Sequence, residues 1–261
     1  MALTRAQIKF LQSLKQKKYR QRYNKFGVEG EKIARELLQA SPEKVEQILA
    51  LPDWIEENGA LLETCRRPVE PISEEILRKI SSLQTPNKVF LLADMSPERA
   101  IEKVVANGLS LYLDGIQDPG NLGTILRIAD WFGLAAVFCA PHCVEWANPK
   151  VIQSSMGSFF RMPVEYLPFS SLLKRFPQLP VWGTSMEGES IYQAPINDKA
   201  LIVIGSESHG VSGEVRDQIE AWTSIPPHAG GGSESLNAAV ATGIVCALIR
   251  SKSSSVTSIP D

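Results

Sequence analysis

Long apolar runs are missing from this chain. None approaches the ~20 residues that span a bilayer, and the start, Met1-Ala2-Leu3-Thr4-Arg5, lacks the apolar core of a secretory leader. Cysteine is scarce at four in 261 residues, too few to staple a fold of this size. These absences read as a reduced, cytoplasmic protein with no membrane association. The spacing in Cys139-Ala140-Pro141-His142-Cys143 is within zinc range, but no second ligand pair follows, so the thiols read as buried and no metal is expected. Net charge is only -2, which exerts no global pull on polyanions. Three enzyme signatures are absent as well. No G-x-G-x-x-G follows an apolar run, so a Rossmann dinucleotide domain or Rossmann methyltransferase is not indicated. Gly230-Gly231-Gly232-Ser233 lacks the Gly-Lys-Ser/Thr of a phosphate-binding P-loop. Ser206-Glu207-Ser208 lacks the glycines of a nucleophile elbow.

What is present is an ordinary globular composition, 44% hydrophobic and 21% charged, in a chain long enough for one large domain or two smaller ones. Charge is uneven: seven basic residues crowd positions 9 to 25, with no acidic residue before Glu29. This run is either a solvated helix face or a grip for phosphate. Periodicity predicts a helix over residues 4–23 with Ile8, Leu11 and Leu14 inward, then a short strand at 26–29, a helix at 31–39, a helix opening near Ser73 and a buried strand at 89–93. A helical connector follows over 96–108. A second alternating series begins there, with strands at 109–113, 135–139, 181–184 and 200–204. Helices are expected at 121–132, 149–158, 211–219 and 236–249. The fold class is therefore α/β, with an N-terminal α/β domain over 1–105 and a larger domain over 106–261. The Ser- and Thr-rich tail from residue 251 reads as frayed.

Three turns in the second domain each follow an apolar run, and strand-end loops are where open α/β folds gather ligands. Asp118-Pro119-Gly120-Asn121 leads into a helix bearing Arg127 among apolar neighbours; Asn121 either caps that helix or serves a site. A guanidinium at position 127 must reach solvent, pair with a carboxylate or face a cleft, where it would suit phosphate. Gly205-Ser206-Glu207 ends the strand at 200–204, with Glu207 either a helix cap or a site carboxylate. Ile225-Pro226 precedes Ser235-Leu236-Asn237, where Ser235 is either an N-cap or part of the same site. Each has a structural explanation alone; their co-occurrence in order favours one composite site.

Together these stretches resemble the SpoU (TrmH-like) family of RNA ribose 2′-O-methyltransferases, of the SPOUT class, over roughly residues 107–250. The segment Phe26-Gly27-Val28-Glu29-Gly30-Glu31-Lys32 resembles the ribosomal-protein-like substrate-binding domain found ahead of many such enzymes. The resemblance implies a mostly parallel sheet whose C-terminal segment is threaded into a trefoil knot, an S-adenosylmethionine pocket formed by that knot, and a homodimer. The small residues of the last predicted helix suit close packing in either the knot or the dimer. By position, Arg127 matches the arginine proposed to activate the ribose hydroxyl, and Asn121, Glu207, Ser235 and Asn237 match the polar residues around it. Gly205, Ile225 and Leu236 match backbone that holds the methyl donor, with Thr184 on its adenosine side. Arginine is a poor base in water, so a substrate phosphate gripped by Arg127 is expected to help polarise the hydroxyl. Residues 228–233 make a longer, glycine-rich loop than is usual in the family, and Pro227 stands where methionine is common. The expected substrate is structured RNA, ribosomal rather than transfer RNA, with Lys15, Lys17, Lys18, Arg20 and Arg22 gripping phosphates. The alternative is an inactive RNA-binding protein of the same fold acting in ribosome assembly. Retention of all five polar residues argues against it, and the glycine-rich loop argues for it. Target choice cannot lie in the motif loops, because every ribonucleotide carries a 2′-hydroxyl.

Overall fold

Apolar runs flanked by turn residues become strands of two sheets in the computed structural model, which describes residues 3–95, 101–229 and 232–252. The chain divides into two compact units: residues 1–97 with 145–160, and residues 98–144 with 161–261. In chain order the first unit carries α1 (Arg5–Ser13), α2 (Lys17–Tyr23), β1 (Lys25–Glu29), α3 (Glu31–Ala40), β2 (Val45–Ala50), α4 (Pro52–Glu57), α5 (Gly59–Cys65), β3 (Val69–Pro71), α6 (Glu74–Ile80) and β4 (Val89–Asp94). Its sheet runs β1-β4-β2-β3, with β4 antiparallel to both neighbours and β3 parallel to β2. Leu11 and Leu14 pack with Leu77, Ile80, Phe90 and Leu92, which fixes α1 against α6 and this sheet.

The helix predicted over 4–23 is two helices. Thr4 and Gln7 form a reciprocal capping box at the start of α1, and the helix stops at Leu14. The Arg20 guanidinium donates to the carbonyls of Leu14 and Lys15, both at 2.9 Å. It thereby occupies acceptors that a helix end leaves open. Its Nε donates to Glu145 at 2.8 Å, and the two form an ion pair with only 2% and 7% of the side chains exposed.

The second unit opens with α7 (Glu102–Val105), β5 (Ser110–Asp114), α8 (Pro119–Trp131) and β6 (Ala136–Cys139). Positions 96–100 of the predicted connector lie outside the described residues. Residues 145–160 then contribute to the first unit, with α9 (Pro149–Ser155) and the start of α10 (Ser158–Arg161). A domain boundary drawn by sequence order at 105/106 does not anticipate this return. The second unit continues through β7 (Val164–Tyr166), α11 (Phe169–Arg175), β8 (Val181–Ser190), β9 (Leu201–Gly205), α12 (Gly213–Arg216), β10 (Ala221–Ser224) and α13 (Ala238–Lys252).

The six strands run β10-β8-β9-β5-β6-β7, and every pairing is parallel. Every residue of β5 and β6 is buried, as expected of strands covered on both faces. From β5 the chain steps outward to β6 and β7, then returns to fill β8, β9 and β10 on the other side. The order therefore reverses between β5 and β9. The crevice beyond the carboxyl ends of two such strands is the general ligand position of open α/β sheets, and the loops after β5 and β9 carry the first two sequence motifs.

Candidate active site

The loop after β5 enters α8 through Asp118, whose carboxylate accepts from the Asn121 backbone N–H at 2.9 Å. Asp118, not Asn121, is thus the N-cap. That leaves the Asn121 amide free, and it donates to Glu207 Oε1. Glu207 stands in a turn closed by Ser206 and Gly210, whose backbones exchange hydrogen bonds at 3.0 and 2.8 Å. A Cβ on Gly205 would lie 2.2 Å from the Gly210 carbonyl carbon, so glycine is required where the two backbones meet.

The third stretch completes the cluster. Asn237 caps α13, its Oδ1 accepting from Ala239 N at 3.0 Å and Val240 N at 3.2 Å. Its Nδ2 donates to Asn121 Oδ1 at 2.9 Å and to Glu207 Oε1 at 3.2 Å. Glu207 Oε1 also accepts from Ala238 N at 3.1 Å. A carboxylate is thereby held at the N-terminus of a 15-residue helix, where the helix dipole favours it. The predicted cap roles therefore shift: Ser235 does not cap the last helix, which begins at Ala238, and Glu207 caps α13 rather than the helix after Val211. Residues 211–219 contain only the four-residue α12.

A cavity of about 790 Å³ adjoins this cluster. Thr184, Gly205, Ile225, Ser235 and Leu236, drawn from distant parts of the sequence, all line it. Thr184 lies where β8 leaves its ladder. Gly183 pairs with Trp222 and Glu189 with Thr223, so residues 184–188 bulge out and bring Met186 and Glu187 to the cavity. The Thr184 hydroxyl donates to Val203 O at 2.9 Å. Ala238, Ala241 and Val245 of α13 contribute small and apolar walls. Apolar surface beside a few polar groups is the usual composition of a small-molecule pocket. Gly230 and Gly231 of the glycine-rich loop lie outside the described residues.

Arg127 does not join the cluster. Its side chain is exposed and makes no hydrogen bond or ion pair among the described residues. Six residues beyond Asn121, it stands ~9 Å further along α8 and roughly 120° round it. Among the basic residues of α1, α2 and the turn between them, Lys17, Lys18 and Arg22 are exposed, and Lys15 Nζ donates to Ser81 O and Lys79 O. Arg20 departs from expectation. Buried and committed to Glu145 and to two carbonyls, it has no fork left for phosphate.

One further residue bears on the site that sequence reasoning missed. Asp114, at the end of β5 and 2% exposed, accepts from Ser212 N at 2.7 Å. It thus pins the end of the Glu207 loop. Its other oxygen lies 3.3 Å from His142 Nε2. An acidic residue closing an otherwise apolar strand was the available signal. Below them, Cys143 Sγ donates to Leu113 O at 3.2 Å, and the neighbouring Cys139 thiol holds the Cys143 pKa below its ordinary value by hydrogen bonding.

A parallel sheet with its order reversed beside a cluster built from three strand-end loops agrees with the architecture that the resemblance to the SPOUT class implies. The profile of the SpoU rRNA methylase family matches residues 108–247, more than half the chain, and that of the MRM3-like substrate binding domain matches residues 5–91. The chain belongs to the SpoU rRNA methylase family. It is 30% identical over 243 residues to the 23S rRNA (guanosine(2553)-2′-O)-methyltransferase RlmP of Bacillus subtilis, covering 91% of this chain and 93% of that one. A TrmH-family structure from Porphyromonas gingivalis is 36% identical and superposes with a TM-score of 0.84, over 97% of this chain and 100% of that one. The SpoU methyltransferase AviRb from Streptomyces viridochromogenes, solved in complex with AdoMet, shares the fold at a TM-score of 0.81 and 24% identity, over 95% and 98% of the two chains.

Proposed function

We propose that this protein methylates a ribose 2′-hydroxyl in structured ribosomal RNA, with S-adenosylmethionine as donor. The observation that carries the reading is the convergence of Asn121, Glu207 and Asn237 on one another beside the 790 Å³ cavity. The relatives' activity on a guanosine of 23S rRNA supports ribosomal RNA as the substrate class.

The cavity fits the donor on its own chemistry. Backbone of Gly205, Ile225 and Leu236 and the side of Thr184 would hold the adenosine. When bound, the donor supplies a methyl group on a sulfonium, ready for attack by an oxygen. Everything else falls to the chain. Asn121 and Asn237 hold the Glu207 carboxylate in one orientation, so that the polar wall facing the substrate is fixed before RNA arrives. Arg127, permanently charged and exposed, would grip a substrate phosphate and draw the neighbouring ribose in. Proton removal is then favoured by the gripped phosphate rather than by a neutral arginine, which is not available near neutral pH. Ser235, on the cavity wall, would contact either the donor or the ribose.

RNA selection falls to the first unit, where Lys15, Lys17, Lys18 and Arg22 would engage phosphates. The protein works as a cytoplasmic homodimer in this reading. Trp131, 82% exposed on α8, and Val240, 51% exposed on α13, are apolar side chains that a partner would cover. The decisive assay supplies labelled donor and unmodified ribosomal RNA and follows alkali-resistant dinucleotides. A 2′-O-methyl removes the nucleophile that alkaline cleavage needs, so resistance identifies the ribose oxygen. Wild type should generate them, and Arg127→Ala and Glu207→Ala should each lower the rate by about 100-fold or more. Labelled product that remains alkali-sensitive would place the methyl on a base and overturn the reading. Light scattering on the same sample should give the mass of two chains; one chain's mass would remove the dimer.

A further inference from the structure

The donor cavity contains one basic side chain among its described lining residues, and the family motifs say nothing of it. Arg216, the last residue of α12, lines the cavity together with three carboxylates, Glu187, Glu207 and Glu234. Its side chain is exposed, and the guanidinium makes no hydrogen bond or ion pair among the described residues. Its position is nevertheless defined. The guanidinium carbon lies 4.8 Å from the centroid of the Trp222 ring, a cation-π distance. The indole is itself fixed, with Nε1 donating to Ile219 O at 3.2 Å. It lies over Gly183, where any Cβ would meet the ring at 2.5 Å. Glycine at 183 therefore admits the tryptophan, the tryptophan holds the arginine, and the arginine presents a free planar fork to the cavity.

We infer that Arg216 binds the carboxylate at the amino-acid end of the methyl donor. This rests on the donor reading of the cavity. A guanidinium offers two parallel N–H groups that match a carboxylate in a bidentate pair. The amino-acid end of the donor carries a carboxylate and an ammonium, and the cavity offers both signs, with Glu187 and Glu234 available to the ammonium. An RNA phosphate is a poorer partner for the same arginine, because a polyanion entering here would meet those two carboxylates as well. Stacking on Trp222 also limits the freedom the fork must lose on pairing, which favours a strong contact.

The test is calorimetric titration of the full-length protein with two ligands, S-adenosylhomocysteine and 5′-methylthioadenosine. They share the adenosine and the sulfur, and only the first has the amino-acid end. Arg216→Ala should weaken S-adenosylhomocysteine by about tenfold or more and leave 5′-methylthioadenosine within about twofold. Arg216→Lys should recover part of the loss, since charge is kept and the fork is not. Unchanged binding of 5′-methylthioadenosine also reports that the variant is folded and its adenosine side intact. Equal weakening of both ligands would assign Arg216 to the adenosine or to the fold, and weakening of neither would remove it from the site; each result overturns the inference while the donor reading stands. If wild type bound neither ligand, the donor reading itself would fall and this inference with it.

Discussion

Glu207 Oε1 accepts from two side-chain amides and one backbone N–H, so one atom joins the ends of three distant loops. Such a residue has a structural and a chemical role, and the two separate by magnitude. Losing a helix N-cap acceptor costs about 1 kcal/mol, whereas losing fixed polar geometry at a reacting centre costs more in the transition state than in the folded state. Glu207→Ala is therefore expected to shift the urea midpoint slightly and to abolish transfer nearly completely. Gly205 is the opposite case. Gly205→Ala drives a methyl into the Gly210 backbone, which cannot swing aside as a side chain would. It should cost more than about 2 kcal/mol, read from the urea midpoint. Gly213→Ala, with nothing within 4 Å of the added Cβ, should be close to neutral; a comparable loss at both glycines would refute the close approach. Neither role is visible from residue type. The turn chemistry of Asp118-Pro119-Gly120-Asn121 is legible in sequence, but which residue caps and which faces the site depends on where Glu207 comes to lie.

Strands covered on both faces were readable, and so was half-covered β1, expected at 26–29 and found at Lys25–Glu29. β4, β5, β6 and β9 are short apolar runs because neither face meets water, and sequence places them within a residue or two. β7 and β10, three- and four-residue edge strands, carry too little pattern to detect. The break between α1 and α2 was hidden for a different reason. Arg20 sits in a run of look-alike basic residues, and only its partner Glu145, 125 positions away, marks it as internal. Substitution separates the two kinds of cation. Lys17→Ala, Lys18→Ala and Arg22→Ala should leave stability nearly unchanged while lowering RNA affinity and reducing the salt slope by roughly one for each phosphate no longer gripped. Arg20→Ala strands a buried carboxylate, a loss of about 3–5 kcal/mol in urea unfolding. If RNA affinity and its salt dependence are unmoved by the variants at 17, 18 and 22, these helices do not hold the RNA.

At the scale of the whole molecule, the reversal of strand order between β5 and β9 decides where chemistry can happen, because it opens a crevice beside the loops that three distant motifs share. Sequence conveys the alternation of strands and helices and the gathering of three loops, but not the strand order that opens the crevice. It conveys nothing of the return of residues 145–160 to the first unit, which depends on tertiary partners. Trp146 and Phe159 pack edge-on against Phe26, with ring centroids 5.1 and 5.9 Å away, and Glu145 is neutralised by Arg20. A chain truncated to residues 106–261 would keep the whole parallel sheet and all three motifs, yet it would leave two large aromatic rings and a carboxylate without the surroundings that bury and pair them. Exposed aromatic surface of this kind promotes association. The truncated chain is therefore expected to bind a hydrophobic dye and to aggregate where the full chain does not. Serine at both 146 and 159 should relieve this in the truncated chain while destabilising the full one. A truncated chain that stays monodisperse and dye-silent would show that residues 145–160 find another resting place within the methylase unit, and that the first unit is dispensable for its folding.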